Sequence, residues 1–203
     1  ENEFDEIDGY AKGMGIDWFA SSWDYESQIF LRKYNLACNK VASAMATNQE
    51  FLELVAGERK LTYLSTGMCD LHQIDNAVSV FRSFDCPFVL MHSVAEYPAP
   101  ESDLNLRCIL TLKDRYNCKV GYSGHESSVS PSIVAATLGA CAIERHITLD
   151  RAMYGSDQAA SLEPSGIETL VAQVRKISVV MGDGKKRISN GERKNEIKLR
   201  YWL

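Results

Sequence analysis

The sequence has no excess of positive charge, no long apolar run, no Cys-x-x-Cys pair and no glycine-rich phosphate loop. Each absence excludes a class of function. Lys and Arg total 22 against 27 Asp and Glu, a net charge of −5, which excludes general binding to a phosphate backbone. The longest uncharged run, Ser127 to Ile143, carries four Ser, one Pro and one Gly, so it is too short and too polar to span a bilayer. The acidic opening Glu1-Asn2-Glu3-Phe4-Asp5-Glu6 is not that of a secretory signal. Without G-x-G-x-x-G or Walker spacing, a nucleotide-binding doubly wound sheet is disfavoured. Six cysteines, at 38, 69, 86, 108, 118 and 141, are scattered rather than paired. They read as reduced structural thiols of a cytoplasmic protein, with neither a disulfide scaffold nor a cysteine metal site.

What is present is a repeated strand-then-helix pattern. Short apolar, β-branched or aromatic runs occur at 16–20, 37–42, 61–65, 87–91, 118–122 and 141–145. Helical periodicity separates them. Leu71, Ile74, Val78 and Phe81 share one helical face, and Ile167, Leu170, Val171, Val174 and Ile177 another. Phe4 to Met14 reads as a helix, and Thr47-x-x-Glu50 as a capping box ahead of Phe51, Leu52 and Leu54. Alternating units of this kind predict a parallel sheet with helices outside. Six strands are two short of a (β/α)8 barrel, so the expectation is a TIM-type barrel represented by strands 3–8, its first two units lying before Glu1. Residues 1–181 read as the partial barrel domain and 182–203 as a charged C-terminal tail.

In parallel α/β architectures ligands bind at the carboxyl ends of the strands. Those positions hold Ser21, Ser22, Trp23 and Asp24 after the first run, with Lys40 and Ser43 within and after the second. The third run is followed by Thr66, the fourth by His92, Ser93, Glu96 and Tyr97, the fifth by Ser123 and His125, and the last by His146, with Asp157 beyond. His125 and His146 end adjacent strands, roughly 4.8 Å apart. They could converge on one divalent ion, or each could be a hydrogen-bonded loop histidine. His72 reads as solvated, and His92 as either a ligand contact or a structural hydrogen bond. Lys40 stands in a strand of otherwise neutral residues, where a lone ammonium is costly unless an anion meets it. With Ser21, Ser43, Thr66 and Ser123 it could hold a phosphorylated, carboxylated substrate. The competing reading of those hydroxyls is helix N-capping. Met68 and Met153 read as packing residues, and Lys185-Lys186-Arg187 as a solvated turn.

Three blocks sharpen this. They are Glu96-Tyr97-Pro98-Ala99-Pro100 with Asn105-Leu106; Val120-Gly121-Tyr122-Ser123-Gly124-His125; and Ile143 to Asp150, continued by Gly155-Ser156-Asp157 and Ser161-Leu162-Glu163-Pro164. Ser65-Thr66-Gly67-Met68 supports them. In this order and spacing the sequence resembles the sialic acid synthase family, which condenses phosphoenolpyruvate with an N-acetylated amino sugar. The resemblance covers essentially the whole chain. It implies a (β/α)8 barrel in which His125 and His146 ligate a divalent metal, most often Mn²⁺, with Mg²⁺ or Co²⁺ as alternatives. It implies that Lys40, Ser43, Ser123 and Ser21 hold phosphoenolpyruvate, and that Tyr97, Asp157 and Trp23 lie near the amino sugar. Lys40, His125, His146 and Asp157 would be the catalytic set, in a homodimer with no nucleic-acid or membrane partner. The family's antifreeze-like C-terminal domain has no counterpart before Leu203. Gly124 stands where the family commonly carries Asp, Ala95 where many members carry Asn, and Met45 where a sugar-contacting Glu is found. These differences leave the acceptor open between N-acetylmannosamine and a diamino-dideoxy sugar. Two other readings stand beside the enzyme: a non-catalytic ligand-binding fragment of the same ancestry, and another metal-dependent barrel synthase or aldolase.

Overall fold

The computed structural model describes residues 2–202. Leu203, the end of the expected tail, lies outside them. The strands are β1 (Asn39–Val41), β2 (Thr62–Ser65), β3 (Phe88–Ser93), β4 (Lys119–Gly124) and β5 (Ile143–Arg145), paired in sequence order and all parallel. The α-helices are α1 (Asn2–Met14), α2 (Tyr25–Leu31), α3 (Gln49–Ala56), α4 (Leu71–Ser83), α5 (Cys108–Tyr116), α6 (Ser130–Thr137), α7 (Pro164–Met181) and α8 (Asn190–Leu199). The result is a five-stranded, half-barrel-like parallel α/β sheet. No described helix is long and apolar enough to cross a membrane.

Five of the six expected strands form. The exception is 16–20: Ile16 and Phe19 are exposed, and only Ser21, beyond the run, makes an isolated parallel bridge to Lys40. An apolar run can pack without pairing, and this one lies at the outer edge of β1 with no second neighbour.

Alternation along each strand sorts the two faces of the sheet. The register aligns Val41, Leu64, Leu90 and Val120 across four strands, and all four are buried in the main core. Against them pack Phe51 and Val55 of α3, Ile74, Val78 and Phe81 of α4, and Ile109 and Leu112 of α5. Each fully buried side chain of this size contributes roughly 1.5–3 kcal/mol of transfer free energy. Leu71, expected on the inner face of α4, is exposed because it opens the helix ahead of the packed turns. On α7, Leu170 alone is buried, while Val171 is exposed and Ile167, Val174 and Ile177 are half-buried.

The cap of α3 differs by one residue from the expected box. Asn48, not Thr47, is the N-cap, and its side-chain oxygen accepts from the Phe51 amide at 3.1 Å. Met68 and Met153, expected as packing residues, are 70% and 53% exposed. The six cysteines are free thiols.

Candidate active site

Three residues beyond the core row of Leu90 and Val120, the register aligns Ser93 of β3, Ser123 of β4 and Glu144 of β5. Their side chains look away from the helices, at the carboxyl end of the sheet. They line a cavity of about 670 Å³ together with Ser21, Trp23, Lys40, Ser43, Tyr97, His125, His146 and Asp157. Nine of the ten residues singled out in the sequence therefore meet in one place.

The tenth is Thr66. Its hydroxyl donates to the Met91 carbonyl at 3.1 Å, tying β2 to β3, and it does not line the cavity. Met68 does line it. Met45 packs against the core. His72 is exposed on α4, and His92 donates from Nε2 to the Leu104 carbonyl at 2.7 Å, so neither belongs to the site.

Lys40 is 8% exposed. Its Nζ donates to Ser65 Oγ at 2.6 Å and lies 3.5 Å from Glu144 Oε1. Burial pushes its ammonium pKa down, against the pull of the Glu144 carboxylate. Part of the counter-charge that a buried lysine demands thus comes from within the chain. Ser123 Oγ donates to the same Glu144 oxygen at 2.8 Å, which links Lys40, Glu144 and Ser123 into one network. Ser43 Oγ accepts from the Gly67 amide at 3.0 Å. A Cβ on Gly67 would stand 2.8 Å from that oxygen, so a side chain there would close the turn against Ser43. None of these hydroxyls caps an α-helix: α2, α3 and α4 are capped by Asp24, Asn48 and Asp70. The sequence reading placed Ser93 at the end of the fourth run without a role, and it did not single out Glu144. Their signal was the register, which puts them level with Ser123, and pairing register is not written in any one segment. Ser93 Oγ is buried without a hydrogen-bond partner.

At the other side of the cavity the rings of His125 and His146 lie 5.2 Å apart between centroids, with Tyr97 4.2 Å from the first and 5.6 Å from the second. His125 is 5% exposed, and its Nδ1–H donates to the Val94 carbonyl at 2.6 Å. That bond fixes the tautomer and leaves the Nε2 lone pair free. Burial lowers the His125 pKa, which favours the neutral, metal-binding form. His146 Nδ1 lies 3.5 Å from Asp157 Oδ2. No group of three His, Cys, Asp or Glu with metal-site geometry occurs among the described residues. Two imidazoles set edge to face at 71°, one with its lone pair freed by a backbone carbonyl, fit a divalent ion whose other positions go to oxygen ligands. The Tyr97–Pro98 peptide, beside this cluster, is cis.

The family model described as the NeuB family matches residues 1–186. The chain is 39% identical over 189 residues to an N,N'-diacetyllegionaminic acid synthase of Campylobacter jejuni, covering 92% of this chain and 57% of that protein. It is 32% identical over 188 residues to the human N-acetylneuraminate-9-phosphate synthase, covering 92% of this chain and 52% of that one. It thus spans just over half the length of these relatives. Among solved structures, an N-acetylneuraminic acid (sialic acid) synthetase from Leptospira borgpetersenii, in complex with citrate, superposes with a TM-score of 0.88 at 33% identity. That match covers all of this chain and 70% of the other. The chain therefore belongs to the NeuB family, the family of the sialic acid synthases.

Proposed function

We propose that this chain carries the cavity in which phosphoenolpyruvate condenses with an N-acetylated amino sugar to give a nine-carbon 2-keto sugar acid and inorganic phosphate. The observation that supports it most is the meeting, in one cavity of about 670 Å³, of a buried cation with two neighbouring imidazoles. The relatives, named as synthases of nine-carbon sugar acids, point the same way.

In this reading Lys40 meets the phosphate and carboxylate charge of phosphoenolpyruvate, and Ser21, Ser43, Ser65 and Ser123 supply hydroxyls around it. Glu144 holds the Lys40 ammonium in place and favours its charged form. Trp23 and Tyr97 give the amino sugar two partly exposed aromatic faces, and Asp157 accepts from its hydroxyls. His125 and His146 would hold a divalent cation, Mn²⁺ first, with Mg²⁺ or Co²⁺ as alternatives. When bound, such an ion supplies Lewis-acid polarisation of a carbonyl oxygen. The C3 carbon of phosphoenolpyruvate forms a bond to the aldehyde carbon of the open-chain sugar. Water adds at C2, the aldehyde oxygen takes a proton, and the C–O bond to phosphate breaks. The protein's contribution is placement and fixed charge: it aligns the two reacting carbons and offsets the anionic groups that would repel.

The half-barrel is read as part of a (β/α)8 barrel. Both outer strands of the sheet, β1 and β5, have one unpaired edge, and β1 is covered there only by the Ser21 bridge. A homodimeric assembly belongs to the same reading.

The test is phosphate release from phosphoenolpyruvate with a panel of N-acetylated hexosamines, with Mn²⁺ or with EDTA. Metal-dependent release with one sugar would establish the condensation and name the acceptor. Release that ignores EDTA, or none with any sugar from folded protein, would refute the proposal.

A further inference from the structure

The main-chain ladder between β4 and β5 ends at the Gly124–Arg145 pair. Each histidine of the site lies one residue past that end, so backbone pairing does not set the distance between them. A side-chain pair does span the gap. Arg145 Nη1 lies 3.0 Å from Glu126 Oε1, and the two side chains are 2% and 0% exposed. The same guanidinium donates to the Ser128 carbonyl at 2.8 Å, to Ser132 Oγ at 3.0 Å and to the Glu126 carbonyl. Glu126 Oε2 accepts from Tyr122 Oη at 2.8 Å, and Ser132 Oγ donates to Oε1 at 3.3 Å. The pair thus fastens the residue after His125 to the residue before His146, with anchors on β4 and α6. Replacing a buried charge pair by apolar residues of similar volume is often neutral or stabilising, so stability alone is a weak reason for having one here.

Gly124 explains why the carboxylate sits at 126. A Cβ on residue 124 would stand 2.6 Å from Glu126 Oε2, 2.7 Å from Tyr122 Cε1 and 2.9 Å from Glu126 Oε1, so both the carboxylate and the Tyr122 ring would have to shift. The space beside Arg145 holds one carboxylate, and it can be reached from either position. In this chain position 124 carries no side chain, and that of Glu126 fills the space.

We propose that Glu126 and Arg145 are a positioning pair that sets the separation and ring orientation of His125 and His146, and that position 126 supplies the carboxylate because position 124 does not. Its functional meaning rests on the metal reading above. The pair touches neither substrate nor ion and acts through the two histidines.

The test compares wild type with Glu126→Thr, Gly124→Asp and the double variant Gly124→Asp/Glu126→Thr. Two readouts are taken on full-length protein at pH 8: the imidazole ¹⁵N spectrum without metal, and Mn²⁺ affinity by competition with a chelator. The Glu126→Thr change should cost the single Nδ1–H tautomer signature of His125 and weaken Mn²⁺ about 10-fold or more, the size expected when a group that orients a metal ligand is lost. The Gly124→Asp change alone places two carboxylates in space for one and should do the same or worse. The double variant should regain the wild-type spectrum and affinity. Wild-type spectra in Glu126→Thr would overturn the proposal. So would a double variant that folds without regaining them, or one that does not fold. If Glu126→Thr itself does not fold, the double variant alone decides. If wild type binds no Mn²⁺, the metal reading fails, while the imidazole spectra still decide the role of the pair.

Discussion

Lys40 carries more of this account than any other residue. An ammonium 8% exposed, with one carboxylate at 3.5 Å and one hydroxyl at 2.6 Å, is only partly compensated within the chain, and a bound anion would supply the rest. Lys40→Met keeps the length and removes the charge. Phosphoenolpyruvate affinity, measured by calorimetry, should then fall about 10- to 100-fold, the worth of one or two charge-assisted hydrogen bonds. An unchanged affinity would move the phosphate elsewhere. His92 tests a separate point. Burial pushes its pKa below the ordinary 6.5 despite its bond to Leu104. The unfolded chain therefore binds a proton at higher pH than the folded chain does. The stability that follows is complete above about pH 6.5 and is lost as pH falls through the lower folded value. In urea titrations between pH 8 and 5, His92→Gln should show a shallower loss on acidification than wild type; equal slopes would contradict it. Lys40, His125 and His146 were legible in the sequence because each breaks a local rule: a charge inside a strand, and two imidazoles at matched strand ends. Glu144 and Ser93 break none. Ser93 was only one more residue at a strand end, and both gained a place in the site when pairing set them beside Ser123.

Elements were legible where burial and periodicity agree. The inner faces of α3 and α4 carry Phe51, Val55, Ile74, Val78 and Phe81 at the spacing that buries them, and β1 to β5 fall within or beside their apolar runs. Where a run packs without pairing, composition misleads, as at 16–20, where Trp18 and Ala20 lie against Leu31, Tyr34 and Leu36 but form no strand. Helix ends depend on a single hydrogen bond, and there the one-residue shift at α3 makes a sharp prediction. Asn48→Ala removes the bond to the Phe51 amide and should cost about 1 kcal/mol, seen as a lower urea midpoint at unchanged slope. Thr47→Ala should leave the midpoint within error. The reverse order would restore the capping box read from Thr47 and Glu50.

Across the whole molecule, five parallel strands turn one face to the helices and gather their carboxyl-end side chains into one cavity. Alternating βα units made that architecture readable before any coordinates. The two sheet edges and the acceptor sugar were not readable, since both depend on surfaces that no local pattern encodes. The account's central claim is that His125 and His146 share a divalent ion beside the anion cradle of Lys40. Diffraction at the manganese absorption edge, from crystals of the protein soaked with Mn²⁺ and phosphoenolpyruvate, tests it directly. The predicted result is one anomalous peak within bonding distance of His125 Nε2 and a ring nitrogen of His146, with the phosphate against Lys40. A peak on other residues, or phosphoenolpyruvate bound away from Lys40, would contradict the account.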